Sequence, residues 1–200
     1  MLKIGGSLFD HSRALVKRIA DEELDLDILI VPGGGEFADG VRKVYQERPL
    51  SDDAAHWMAV LAMNQYAYYL ADGTDLQLTD SLKGSGTRIA LPYEILRKDD
   101  ALPHTWDVTS DTIAAWMARK IGGRLIKATD VDGIFAGGKL LETVEASRLR
   151  GTGETCIDMA LPEFLMNNKL DAFVVNGLHT ARVSKAIREE KTTGTRILGR

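Results

Sequence analysis

Lys3 stands just ahead of Gly5, Gly6 and Ser7 in the opening stretch MLKIGGSLF, and a second cluster, Gly33, Gly34 and Gly35, follows in IVPGGGEFADG. A lysine is a compact positive charge suited to a phosphoryl group, and glycine removes the Cβ that would hold a phosphate away from backbone N–H groups. Where such loops lead from a strand into a helix, the helix start also favours an anion. Both clusters therefore fit phosphate binding. Each by itself equally fits a tight turn, and Lys3 by itself fits a side chain that runs to solvent along its own stem. Neither cluster is a P-loop, because no Gly-Lys-Ser/Thr follows at the required spacing, and neither has the dinucleotide pattern Gly-x-Gly-x-x-Gly. Cys156 is the only cysteine, so there is no internal disulfide and no cysteine-built metal cage; it reads as a small buried hydrophobe.

Such residues need strand ends and helix starts to hold them. LKI and DILIVP read as buried strands. In DHSRALVKRIADE the residues Leu15, Val16 and Ile19 share a helical face, with Asp10 or Ser12 as cap. EFADGVRKVYQER returns to helical spacing, and DDAAHWMAVLAMNQYAYYLAD is a long helix, apolar nearly all round, which points to burial against a second subunit as well as its own core. TRIALP is a strand, SDTIAAWMARKIGG a helix capped by Ser110 and ended by glycine, RLIKATDV a strand, and DGIFAGGKLLETV a hairpin with a Gly-Gly turn. DAFVVNG, HTARVSKAIREE and TRILG close the chain. This alternation predicts an α/β fold with a mainly parallel sheet covered by helices on both faces.

Two hundred residues with 44% hydrophobic content suffice for a single core and one domain. With 25 basic and 29 acidic residues, a net charge of −4 and no block of like charge, the chain predicts neither a nucleic-acid stripe nor a membrane clamp. No apolar run spans a bilayer and the start lacks a signal-peptide pattern, so the expected location is the cytoplasm.

From KIGGS through GGG, TSD (Thr109 to Asp111), TDVDGIF (Thr129 to Phe135), VVNG and TTGTRI, the blocks resemble those of the amino acid kinase family, in family order and over essentially the whole chain. The resemblance implies a three-layer αβα sandwich, with an acceptor toward the N-terminal half and ATP toward the C-terminal half. It implies that Lys3 contacts the transferred phosphoryl group, that Gly5, Gly6 and Ser7 hold its oxygens, and that Asp111 positions the lysine. Thr129, Asp130, Asp132 and Gly133 match the loop around adenine and ribose; an Asp-Gly turn is the alternative reading. Lys127 either reaches the ATP phosphates or is a solvated strand-end lysine. Mg²⁺ is expected to travel with the nucleotide phosphates and to need few protein ligands, so no metal site is assigned to the chain.

Within that family, Thr109 and Ser110 ahead of Asp111 resemble the hydroxyl pair that binds an acceptor phosphate. The arginine that uridylate kinases carry soon after the triple glycine is displaced here to Arg42. The segment bearing a second active lysine in acetylglutamate and isopentenyl phosphate kinases is replaced by GTGETCIDMALPEFL, leaving Lys127 and Arg42 as candidates for the missing cation. HWMAVLAMNQYAYYLAD, the LPYEILRKDDALPHTWDVTSD segment and CIDMALPEFL resemble a branch that phosphorylates an aminomethylfuran phosphate monoester in methanofuran biosynthesis. For that acceptor's furan ring and ammonium His104, Trp106 and Asp107 are candidate partners, with packing for Trp106 and a surface-loop role for His104 as the alternatives, beside Gly33 to Gly35, Arg42, Thr109 and Ser110. His56, Trp57 and Met63 are expected in the core or a subunit contact rather than at the substrate. Another phosphate-acceptor kinase and a non-catalytic nucleotide-binding protein are the competing readings.

Overall fold

The continuous apolar runs of the sequence lie side by side as central strands. The computed structural model describes residues 1–22, 24–151 and 156–200. Its elements in chain order are β1 (Leu2–Ile4), α1 (Phe9–Asp21), β2 (Ile28–Pro32), α2 (Gly35–Glu47), α3 (Asp52–Ala71), β3 (Gln77–Thr79), β4 (Thr87–Ala90), α4 (Pro92–Arg97) and α5 (Ser110–Ile121). They continue with β5 (Leu125–Thr129), a hairpin of β6 (Phe135–Ala136) and β7 (Lys139–Leu140), β8 (Thr143–Glu145), α6 (Leu161–Asn168), β9 (Ala172–Asn176), α7 (Thr180–Ile187) and β10 (Thr195–Leu198). The main sheet has eight strands in the order β3-β4-β2-β1-β5-β9-β10-β8. It is parallel from β3 to β9; β10 runs antiparallel to β9 and parallel to β8.

Strand periodicity sorts the side chains into two layers. Leu29, Val31, Leu125 and Val174 face Ile113 and Met117 of α5 and Leu161 of α6. Leu2, Ile4, Ile30, Ile126 and Val175 face Leu15 and Ile19 of α1 and Val183 and Ile187 of α7. A helix layer on each side satisfies a sheet whose central strands are buried on both faces. The all-round apolar pattern of α3 follows from its place between the layers: Val60 and Met63 pack into one cluster, and Tyr66, Ala67 and Leu70 into the other. Leu61 and Tyr68 are left exposed on its outer side.

Three expected caps differ. Neither Asp10 nor Ser12 caps α1, which is entered through a 3-10 turn at Gly6–Leu8; the Ser12 hydroxyl instead donates to the Phe9 carbonyl. Ser110 is the first residue of α5 and Thr109 its N-cap, and the cap oxygen comes from Asp158, far along the chain. Glycine does end α5, with Gly122 in the left-handed region at φ 62°. Among the described residues no helix is long and apolar enough to cross a membrane.

Candidate active site

β1 pairs with β2 and β5 so that Lys3 lies opposite both Val31 and Lys127. Opposed residues of parallel strands share a face, so both lysines point into the layer covered by α5. The first turn of α5 carries Asp111, and the three side chains meet there. Lys3 Nζ lies 2.7 Å from Asp111 Oδ1, and Lys127 Nζ donates to Oδ2, which also accepts from the Asp158 backbone N–H at 3.1 Å. All three are buried: Lys3 is 4% exposed, Asp111 4% and Lys127 6%. The reading of Lys127 as a solvated lysine is thereby overturned: the strand register turns its stem inward, under α5.

Two ammonium groups against one carboxylate leave this trio with a net positive charge. Burial pushes the pKa of Lys3 down to about 8, with Lys127 adding to the effect and Asp111 opposing it. Burial alone would raise Asp111, but Lys127 and Lys3 outweigh it and hold the carboxylate far below its usual range. A buried excess of positive charge is costly until an anion meets it, which is what a phosphate-binding floor requires.

The glycine loops converge above that floor. Gly5 N–H donates to the Ala128 carbonyl at 2.8 Å and Gly33 N–H to the Ile4 carbonyl at 2.8 Å, so the ladder continues past the ends of the strands. A Cβ on Gly6 would lie 2.9 Å from both N and Cα of Gly35, and one on Gly33 would lie 2.9 Å from the Gly6 nitrogen. The two loops thus touch backbone to backbone, and no side chain fits between them. Gly5 and Gly33 support this contact, while Gly6, Ser7, Gly34 and Gly35 line the cleft itself.

The cleft encloses about 960 Å³ at the carboxyl ends of β1, β2 and β5, the usual ligand position in an open α/β sheet. Lys3, Lys127 and Asp111 lie in its wall together with Thr109, Ser110, Thr129, Asp130 and Gly133. Ser7 Oγ approaches Thr129 Oγ1 at 3.3 Å, and the Thr129 hydroxyl donates to Asp130 at 3.1 Å. Burial works against ionisation of Asp130, but hydrogen bonds from Ser7 and Thr129 hold its pKa below the ordinary value. Asp132 is not in the cleft wall: its carboxylate accepts from Asn176 at 2.9 Å and from Arg182 at 2.6 Å.

At the far end of the cleft are Arg42, His56, Met63, His104 and Trp106. Arg42 is held by Asp39 at 2.6 Å and lies 5.5 Å over the Trp106 ring. Met63 is in the core as expected and also reaches the cleft, and His56, expected in the core or a subunit contact, lines the cleft too because α3 turns this face toward it, whereas Trp57 packs against Tyr93. His104 is bound through both ring nitrogens, to Asp53 at 2.7 Å and Asp100 at 2.8 Å, and its ring stacks on His56.

Sequence reasoning passed over Asp158. Its carboxylate accepts from the Thr109 and Thr112 backbone N–H groups at 2.9 Å and from both threonine hydroxyls, and it also caps α6 through Leu161 N–H. It therefore fixes the turn that carries Asp111. The Asp-x-x-Leu-Pro spacing was an available signal for a helix start, but not for the second helix that it caps. Residues 152–155, at the start of the segment that replaces a second active lysine, lie outside the described residues.

A family model for the amino acid kinase family matches residues 94–176. The whole chain is 34% identical to the [5-(aminomethyl)furan-3-yl]methyl phosphate kinase of Methanocaldococcus jannaschii, across 97% of that protein. It is 23% identical to a uridylate kinase of Thermofilum pendens, over 98% of this chain and 96% of that one. Its structure resembles the uridylate kinase of Archaeoglobus fulgidus with a TM-score of 0.72 at 19% identity, covering 98% and 99% of the two chains. It also resembles an isopentenyl phosphate kinase solved as a substrate complex, with a TM-score of 0.60 at 20% identity and 98% of each chain covered.

Proposed function

The chain belongs to the amino acid kinase family, and on that premise we propose that it transfers the γ-phosphoryl group of ATP to a phosphate monoester, [5-(aminomethyl)furan-3-yl]methyl phosphate, giving the diphosphate. The observation that carries this reading is the buried Lys3–Asp111–Lys127 trio beneath the contact of two glycine loops. Phosphoryl transfer asks for positioned positive charge around oxygens that gain charge, and little else. An oxygen of the acceptor phosphate attacks the γ-phosphorus, the bond to the β-phosphate oxygen breaks, and ADP leaves. The acceptor is already ionised, so no general base is needed.

Lys3 and Lys127 meet the charge on the transferring group, and Asp111 holds both ammonium groups in place. Gly6 and Gly35 allow the close approach of backbone to phosphate, with Gly5, Gly33 and Gly34 supporting them and Ser7 offering a hydroxyl. Thr109 and Ser110 lie where the acceptor phosphate would reach the start of α5. Thr129, Asp130 and Gly133 form the nucleotide side, with Asp132 stiffening the loop through Asn176 and Arg182. Among the described residues no three His, Cys, Asp or Glu side chains come together as a metal cage. The donors fit a divalent ion carried by the nucleotide and met by one carboxylate, Asp130. Such an ion neutralises charge on the β- and γ-phosphates. Residues 1–200 form one kinase domain in this reading, and exposed Leu61 and Tyr68 on α3 are where a second copy would pack.

The test is ADP release from Mg-ATP with three acceptors side by side: the aminomethylfuran phosphate, isopentenyl phosphate and UMP. Turnover at least about tenfold faster with the furan supports the reading. Faster turnover with UMP or isopentenyl phosphate reassigns the acceptor, and ATP binding without turnover on any of the three refutes it.

A further inference from the structure

His56 is 9% exposed and lines the cleft, and among the described residues neither ring nitrogen is a buried polar atom left without a partner, so a nitrogen that no side chain bonds keeps contact with solvent. A ring nitrogen that keeps contact with solvent can exchange a water for a ligand's donor without leaving a polar atom dry. Its surroundings hold the ring in place. One ring face is covered by His104, at a centroid distance of 4.1 Å and an angle of 14°, and Trp57 abuts it edge-on at 4.9 Å. His104 bonds carboxylates on both sides, Asp53 at the start of α3 and Asp100 after α4, and only the imidazolium can donate to both.

Two charge consequences follow. The Asp53–His104–Asp100 unit carries two negative charges and one positive, so the environment of His56 has a net negative charge. The phosphate floor at Lys3, Asp111 and Lys127 has a net positive one. A cleft polarised in this way matches an acceptor that is anionic at one end and cationic at the other. Burial and the neighbouring His104 also hold the His56 pKa down to about 4, with Asp100 and Asp53 opposing, so His56 stays neutral at physiological pH. A neutral imidazole keeps one lone pair, which accepts from an ammonium.

We propose that His56 is the specificity-determining residue of the acceptor site, accepting a hydrogen bond from the acceptor's primary ammonium, and that the Asp53–His104–Asp100 clamp orients it. This rests on the aminomethylfuran reading and assigns the end of the substrate remote from the reaction. His104, expected as a direct wall residue, becomes a positioning residue.

The test compares wild type, His56→Phe and His56→Gln on the aminomethylfuran phosphate and on its methylfuran phosphate analogue, which lacks the amine. Wild type is expected to prefer the amine by about 10- to 100-fold in kcat/KM, the range of one charged hydrogen bond. His56→Phe, which keeps the stacked ring, is expected to abolish that preference while leaving kcat/KM on the analogue and KM for ATP within about twofold. His56→Gln, which keeps an acceptor oxygen, is expected to restore part of the preference. An equal loss on both substrates in His56→Phe, or an undiminished preference, overturns the proposal while wild-type turnover of the amine leaves the functional reading standing. Wild type inactive on the aminomethylfuran phosphate overturns both.

Discussion

Asp111→Asn keeps the shape of the side chain and removes the single negative charge that two buried ammonium groups share. Removing one member of a buried ion pair costs about 3–5 kcal/mol, because the remaining charge stays desolvated and uncompensated. For a chain of 200 residues each kcal/mol is worth about 2–4 °C, so the melting temperature should fall by roughly 6–20 °C at pH 7. Lys3→Met is the contrasting change. It leaves Lys127 and Asp111 as a neutral pair, so the melting temperature should move by no more than about 4 °C, or about 1 kcal/mol. Activity should order the two differently from stability. Lys3→Met removes the charge proposed to meet the transferring group and should lower kcat on the order of 10²- to 10³-fold. The assays are differential scanning calorimetry of the ligand-free protein and steady-state ADP release. The charge account also sets a pH trend. In Asp111→Asn the folded-state Lys3, already lowered by burial, loses the carboxylate that opposes that effect and releases its proton below its unfolded value, so the unfolded chain binds more protons in that window and the deficit should shrink as pH rises toward 10. Equal melting temperatures for the two variants, or a larger loss in Lys3→Met than in Asp111→Asn, would refute the charge account.

Three further outcomes are expected. Because the Lys3 pKa is lowered to about 8, kcat/KM for ATP should decline above that pH as Lys3 loses its proton, and Lys3→Arg, charged at every accessible pH, should lack that limb. Asp158→Ala removes the acceptor for three backbone amides and two hydroxyls and should lower stability by about 2–3 kcal/mol in urea titrations, through loss of the caps at the starts of α5 and α6. Gly6→Ala places a Cβ 2.9 Å from Gly35 and should push the glycine loops apart, cutting kcat on the order of 10²-fold in ADP-release assays, with an intact far-UV spectrum.

Much of this architecture is legible in the sequence because its signals are local. The strand Ile28–Pro32 is a continuous apolar run, Leu125–Thr129 a short β-type run between a helix-ending glycine pair and an Asp-rich turn, and Gly137 and Gly138 mark the hairpin turn. Lys3 and the glycine clusters declare themselves by position and by resemblance. What escapes is everything decided by register and by distant contacts. Whether Lys127 points to solvent or inward depends on its pairing with Lys3, a relation between strands more than a hundred residues apart. The Asp158 cap joins two segments that share no local pattern. His56 sits in an apolar helix and looks like core until the loop carrying His104 folds over it. Asp132 belongs to the expected loop but is held by Asn176 and Arg182, partners more than forty residues away that no local pattern announces.

The most direct measurement of the central claim is ³¹P NMR of the protein incubated with Mg-ATP and the aminomethylfuran phosphate. The account predicts that the monoester singlet disappears and two mutually coupled diphosphate signals grow in step with ADP. Release of inorganic phosphate with the monoester unchanged, or growth of a phosphate signal on the amine, would contradict it.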